Sequence, residues 1–218
     1  MQSPLSPVAP ALRRWLQRTG SLSAHLQALG RRFEVQRLGQ AVRPLLPGEA
    51  RSLGLAPGTR CVVREVVLRV DGRPLVYARS VAPARALQGP WRSLGSLGTR
   101  PLAQLLFDTP AVRRSPLQAE HLAPGSVWQQ HVRRAWQLAT GEDWPSPGAW
   151  ARHSVFTKAG VPLRVTEVFH PALHRSPCPP AAGRPAQTTR TASRGSPSTA
   201  ASSKSPRSTA ATPSGVPV

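Results

Sequence analysis

Acidic residues are what this chain has least of. Nine Asp and Glu stand against 29 Lys and Arg, a net charge of +20 over 218 residues. An arginine that the fold buries therefore has few carboxylates to find, and a buried charge left unpaired is strongly destabilising. Cysteine is nearly absent as well. Cys61 falls in a predicted strand and Cys178 in a Pro/Ser-rich terminus, which excludes a disulfide framework and a zinc site. Of the six histidines only His170 and His174 stand at HxxxH spacing, with a proline between them and no CxxC companion, so no metal or other cofactor is expected. No apolar run approaches a membrane span, so no membrane partner is expected either. The opening MQSPLSPVAPALRRWLQRTG has no secretory apolar core. It is Arg-rich and acid-poor, as transit peptides are, but Pro4, Pro7 and Pro10 spoil a long amphipathic helix there. The expectation is a soluble cytoplasmic protein.

An excess of positive charge points first to nucleic acid. RNP, KH and zinc-finger patterns are all missing, however, and the aromatics are not interleaved with basic residues. Charge alone gives weak, salt-sensitive affinity, so no specific nucleic-acid partner is expected. The charge is also uneven. No acidic residue follows Glu167, while Arg175, Arg184, Arg190, Arg194, Lys204 and Arg207 do. From His174 onward the chain is Pro, Ser, Thr, Ala and Arg with almost no large apolar residue, too little to offset its ordering entropy. The expected organisation is one domain over 1–173 and a disordered basic tail over 174–218.

Within that domain the spacing predicts a short helix at Ala11–Arg18. A second, LSAHLQAL, is capped by Ser21 or Ser23 and stopped by Gly30. RRFEVQRLGQAV is a weaker strand candidate, and LLPGEARSLGLAPGTR reads as a loop. PLAQLLF is a predicted helix with Pro101 in its first turn and Thr99 as its cap. VWQQHVRRAWQLA, Val127–Ala139, is another, with Trp128, Val132 and Trp136 on one side. WPSPGAW reads as a linker. Two hairpins complete the pattern, one around Asp71-Gly72 and one in WARHSVFTKAGVPLRVTEVFHPAL. Few helices and hairpin-joined strands predict an α+β fold, a single antiparallel β-sheet with helices around it enclosing a buried ligand pocket.

The first hairpin, VVREVVLRVDGRPLVYARSV, carries an unusual pair of charges. With a two-residue loop at Asp71-Gly72, Leu68 faces Leu75, Val66 faces Tyr77, and Arg64 faces Arg79 on an otherwise apolar face. Like charges directly opposite each other are unfavourable. Two partners would relieve them: an acidic side chain from elsewhere, or an anionic ligand gripped by the guanidinium forks. With so few carboxylates in the chain, the ligand is favoured. In PLRVTEVFHP, alternation sets Glu167 on an apolar face with Leu163, Val165 and Phe169. It could pair with one of those arginines or stand as a partly desolvated carboxyl suited to gripping a hydroxyl. The helix start near Pro101 adds the Leu102 amide as a candidate anion donor. The set describes a pocket for a small, flat anion that carries a hydroxyl.

The ordered segments VVREVVLRVDGRPLVYARSVAP, LGTRPLAQLLF and WARHSVF with VTEVFHPAL resemble the chorismate–pyruvate lyase family, which forms 4-hydroxybenzoate for ubiquinone. GSLSAHLQALGRRFEV and LLPGEA also fit, and the resemblance spans Leu12 to Leu173. It implies an antiparallel sheet with a buried ligand under flaps, a cofactor-independent lyase acting as a monomer, and chorismate as substrate. It also implies that Arg64 and the Leu102 main chain hold the ring carboxylate and that Glu167 meets the para hydroxyl. Leu29 falls where the family has a methionine lining the site. Arg79 is then expected to hold the enolpyruvyl carboxylate, making Arg64, Arg79 and Glu167 the catalytic set. The stretch from Pro116 to Trp144 looks like an insertion. The alternative is a non-catalytic sensor for a small aromatic carboxylate, although no helix-turn-helix module precedes Val35.

Overall fold

Two tight turns fix the sheet. Asp71 and Gly72 both take positive φ, 48° and 76°, and so do Ala159 and Gly160, 46° and 74°. This is the geometry whose twist matches that of the flanking strands. Each turn joins two long strands. The computed structural model describes residues 8–107 and 111–175. Its strands are β1 (Phe33–Val42), β2 (Cys61–Val70), β3 (Arg73–Pro83), β4 (Arg113–Arg114), β5 (Gln118–Leu122), β6 (Ala149–Lys158) and β7 (Val161–Phe169). They form one antiparallel sheet in the order β1-β2-β3-β7-β6-β4, with β5 also paired to β6. The expected fold class is the observed one.

The register of the first hairpin differs from the expected one. Val70 faces Arg73 and Arg69 faces Pro74, but Leu68 then faces Val76, so Leu75 is an extra residue in β3. Proline has no N–H to give the ladder, which makes Pro74 a natural place for a bulge. Leu75 is buried, and its carbonyl accepts from the His170 amide instead (2.9 Å). One extra residue moves every later side chain of the strand to the other face. Arg64 therefore faces Ser80, and Arg79 faces Glu65. The two arginines are never opposite each other.

Both faces of the sheet are covered. On one lie α1 (Pro10–Gln17), α2 (Leu22–Gln27), α4 (Arg92–Gly95) and α5 (Leu102–Phe107). Leu12, Trp15, Leu16 and Leu26 pack there against Val66, Leu68 and Ala78, while Leu94 and Leu106 pack against Phe156 and Val165. On the other face lie α3 (Glu49–Leu53) and α6 (Val127–Thr140). The expected stripe of Trp128, Val132 and Trp136 packs there against Val67, Tyr77 and Val168. The Ser21 and Ser126 hydroxyls cap α2 and α6, accepting from the Ala24 and Gln129 amides at 3.2 Å each.

Several elements were not expected. The segment read as a loop contains α3, started after Gly48 and ended by Gly54, both at positive φ. The apparent insertion contains β5 as well as α6, and the linker WPSPGAW already enters β6 at Ala149. Pro101 directly precedes α5. Of the tail expected at 174–218, His174 and Arg175 close a short 3₁₀ turn, Pro171–Arg175. The rest lies outside the described residues.

Candidate active site

Alternation in five strands aims one set of side chains at a single cavity. Val35 of β1, Arg64 and Val66 of β2, Ser80 of β3, Glu167 of β7 and Ser154 of β6 all line it. Leu22 of α2 and Leu102, Leu106 and Phe107 of α5 close it from above. Its walls are mostly apolar. Its volume is about 50 Å³, room for only a few waters at the roughly 10–15 Å³ that one water needs. A ring-sized guest therefore requires the α2 and α5 walls to move.

Arg64 is 2% exposed. Its Nη2 donates to the carbonyls of Gly98 (3.0 Å) and Arg100 (3.2 Å), which aims the guanidinium toward the start of α5. Its Nε is buried with no partner, and no carboxylate pairs with it among the described residues. Burial, together with the Arg37 charge, draws its pKa down to about 10. A buried cation held by carbonyls alone is a site waiting for an anion. The Leu102 amide opens the first turn of α5 beside it, and no carbonyl among the described residues accepts from it.

Glu167 reaches the cavity from β7 and is held from behind. Arg152, its cross-strand neighbour on β6, donates from Nε to Glu167 Oε2 at 2.6 Å. The fully buried Arg152 is itself anchored by the carbonyls of Trp15 (2.8 Å) and Arg18 (2.6 Å) at the end of α1, and its guanidinium lies 5.4 Å from the Phe169 ring centre. Arg64 and Glu167 do not neutralise each other. The register sets them two strands apart, about 10 Å, and two residues apart along the strand, about 7 Å. A flat ring with polar groups at opposite ends fits that diagonal.

Of the expected site residues, Arg64, Leu102 and Glu167 line this one cavity, and Arg79 does not join them. The bulge turns it to the opposite face, where it is 1% exposed. There its Nε and Nη2 grip Glu49 (2.8 and 3.1 Å), its Nη1 meets Glu65 (3.0 Å), and Pro44 O takes a further bond. Four of its five N–H donors are engaged there, two of them holding α3 to the sheet through Glu49. Leu29 packs against the Leu12–Leu26 cluster and is not among the lining residues.

Two polar residues of the cavity, Ser154 and Arg114, and Arg152 behind Glu167 were not among the expected site residues. The alternation of WARHSVF puts Arg152, Ser154 and Phe156 on one face, a signal present in the sequence. Arg114 had no such signal, because β4 is only two residues long. Its Nε donates to Ser154 Oγ (3.0 Å) and its Nη1 to Gly20 O (3.4 Å). Among the described residues no cluster of three or more His, Cys, Asp or Glu side chains could hold a metal ion.

The model of the family described as chorismate lyase matches residues 2–176. The chain is 50% identical over 157 residues to a probable chorismate pyruvate-lyase of Albidiferax ferrireducens, covering 72% of this chain and 80% of the relative. It is 42% identical over 163 residues to one from Azoarcus sp. strain BH72, covering 74% and 85%. Among solved structures, a PhnF C-terminal domain aligns with a TM-score of 0.48 at 15% identity, over 71% of this chain and 91% of that one. Matched along the whole described domain, and at half identity to one such relative, this chain belongs to the chorismate lyase family.

Proposed function

We propose that this protein converts chorismate to 4-hydroxybenzoate and pyruvate with the ring carboxylate on Arg64 and the hydroxyl on Glu167. The observation that carries the assignment is Arg64 itself, a buried arginine with no carboxylate partner among the described residues, facing an apolar cavity whose far end holds a fixed carboxylate. In the reaction the ether bond between the ring and the enolpyruvyl oxygen breaks. Its electron pair leaves with that oxygen. The neighbouring hydroxyl-bearing carbon loses its hydrogen as a proton, the ring becomes aromatic, and the enolpyruvate gains a proton as it becomes pyruvate. Nothing is oxidised or reduced overall.

Orientation and electrostatics can therefore supply most of the catalysis. Arg64 and the Leu102 amide fix the carboxylate end. Glu167, clamped by Arg152, accepts a hydrogen bond from the ring hydroxyl and sets the ring's angle in the cavity. The apolar walls exclude water from the departing group. The test mixes purified protein with chorismate and no added cofactor, following 4-hydroxybenzoate absorbance and pyruvate release together. The two should rise one for one. Binding of 4-hydroxybenzoate without turnover would instead leave a sensor.

A further inference from the structure

Chorismate is a dianion, and Arg64 accounts for only one carboxylate. We propose that Arg114 is the second carboxylate anchor and receives the side-chain carboxylate of the enolpyruvyl group. The assignment rests on the reading of chorismate as substrate, and it gives this cavity a subsite for a 2-oxyacrylate or similar side-chain acid.

Arg64 and Arg114 are the two arginines that line the cavity among the described residues. Of the other arginines nearby, Arg37 is exposed and does not line the cavity, Arg152 is committed to Glu167 and to the end of α1, and Arg79 lies beyond the sheet with Glu49 and Glu65. Arg114 has no carboxylate within ion-pair distance among the described residues. Its Nε and Nη1 are taken by Ser154 and Gly20, and among the described residues no protein group accepts from the Nη2 amine. The plane of the guanidinium is set by two rings, with Phe156 at 5.2 Å and Phe107 at 6.0 Å from its central carbon. Cation–π contact of this kind keeps a cation favourable where burial disfavours it.

The location also suits the chemistry. Arg114 and Ser154 belong to β4 and β6, at the far side of β7 from Arg64. Glu167 stands on the strand between them. The ring hydroxyl and the ether oxygen sit on neighbouring ring carbons, so a group that holds the ether's carboxylate must lie close to the group that holds the hydroxyl. Glu167 and Arg114 are near enough to feel each other's charge. A guanidinium there also stabilises the negative charge that develops on the leaving enolpyruvate.

Substrate and product differ at this subsite. 4-Hydroxybenzoate keeps the ring carboxylate and has lost the side-chain acid. R114Q should lower kcat/KM for chorismate about 100-fold, the scale of losing one partner of a buried charge pair. Its Kd for 4-hydroxybenzoate should stay within about threefold of wild type. R64Q should lose both. Equal losses of substrate and product affinity in R114Q would overturn the subsite. Where R114Q does not fold, R114K serves: it keeps the charge without the fork, and a substrate-only loss of about tenfold is expected, against none if the residue is merely structural. A stable ring ether with a free side-chain acid, compared with its side-chain amide, gives a second measurement. The acid should bind wild type more tightly than the amide, and R114Q should bind the two alike. Wild-type turnover of chorismate is recorded in the same series, so a failure of the substrate reading shows there and a failure of the subsite shows only in the variants.

Discussion

Arg64 and Arg79 show how a single residue's role is set by the company its side chain keeps. Both are almost wholly buried, yet one faces carbonyls and empty space and the other faces two carboxylates. Their substitutions should fail differently. R64Q should fold with a melting temperature close to wild type and lose 4-hydroxybenzoate affinity, because it strands no carboxylate among the described residues and gives up only the bonds to the Gly98 and Arg100 carbonyls. R79Q strands Glu49 and Glu65 in the interior, which costs about 3–5 kcal/mol. A denaturant titration should show that loss, with residual folded protein still binding 4-hydroxybenzoate. A stable R79Q that binds product but does not turn over would return Arg79 to the chemistry. Much at this scale was legible in the sequence: scarce acids and strand alternation single out Arg64 and Glu167 as an arginine and a carboxyl on an apolar face. What hid was pairing across distance. Glu49 lay in a segment read as loop, and nothing local links it to Arg79, 30 residues on. Arg152, directly opposite Glu167 on the neighbouring strand, clamps it. R152Q should lower kcat/KM by about tenfold or more while R152K recovers part of it, because the ammonium restores charge without the guanidinium's fixed geometry.

At the scale of elements, the bulge at Leu75 decides the site. Without it Arg79 would enter the cavity face, and Glu65 would lose Tyr77 and Arg79 as partners. The strands, the Asp71-Gly72 turn and the stripe of α6 follow from periodicity and turn chemistry, which are local. A bulge is one residue of register and leaves alternation intact on either side, so apolar partners alone do not reveal it. Only Pro74 marks the place. The elements behind the sheet are joined through Glu65, which accepts from Tyr77 and His131 at 2.5 Å each and from Arg79 at 3.0 Å, linking β2, β3 and α6. Burial pushes the Glu65 carboxyl up, but the hydrogen bonds of His131 and Tyr77, with the charges of His131 and Arg79, outweigh it and bring it down to about 2. A carboxyl depressed in the folded state adds stability that is complete above its unfolded value, near 4.5, and is lost as pH falls toward about 2. Urea midpoints measured from pH 6 down to 2.5 should therefore fall in wild type. E65Q should start lower and fall less steeply, and parallel curves would remove Glu65 as the titrating group. On the cavity side, α2 and α5 must part to admit a ring into about 50 Å³. Product keeps the ring carboxylate and hydroxyl, so it should leave slowly through the same opening. A first-turnover burst of 4-hydroxybenzoate is expected, and its absence would place the slow step before product forms.

Taken whole, the molecule is a strongly positive body with a doubly negative substrate. The family match and the sheet account for residues up to the 3₁₀ turn at Pro171–Arg175, and every cavity residue precedes Leu173. Five of the basic residues come after that turn. Two electrostatic effects then act at different ranges. The pull of Arg64 and Arg114 on a bound ligand works across a few ångströms in a water-poor cavity, where salt screens little. The field of the remaining surface charge works on the approaching dianion over distances that salt does screen, with a Debye length of about 10 Å at 0.1 M and about 3 Å at 1 M. Raising the ionic strength should therefore lower kcat/KM for chorismate severalfold while leaving kcat within about twofold, because kcat reports on the filled, closed cavity. Removing residues 176–218 should leave kcat unchanged and make the salt dependence of kcat/KM shallower, in proportion to the charge removed. If kcat/KM is flat from low to high salt while R114Q still loses substrate alone, the surface charge plays no part in capture and the two buried arginines do all of the selecting.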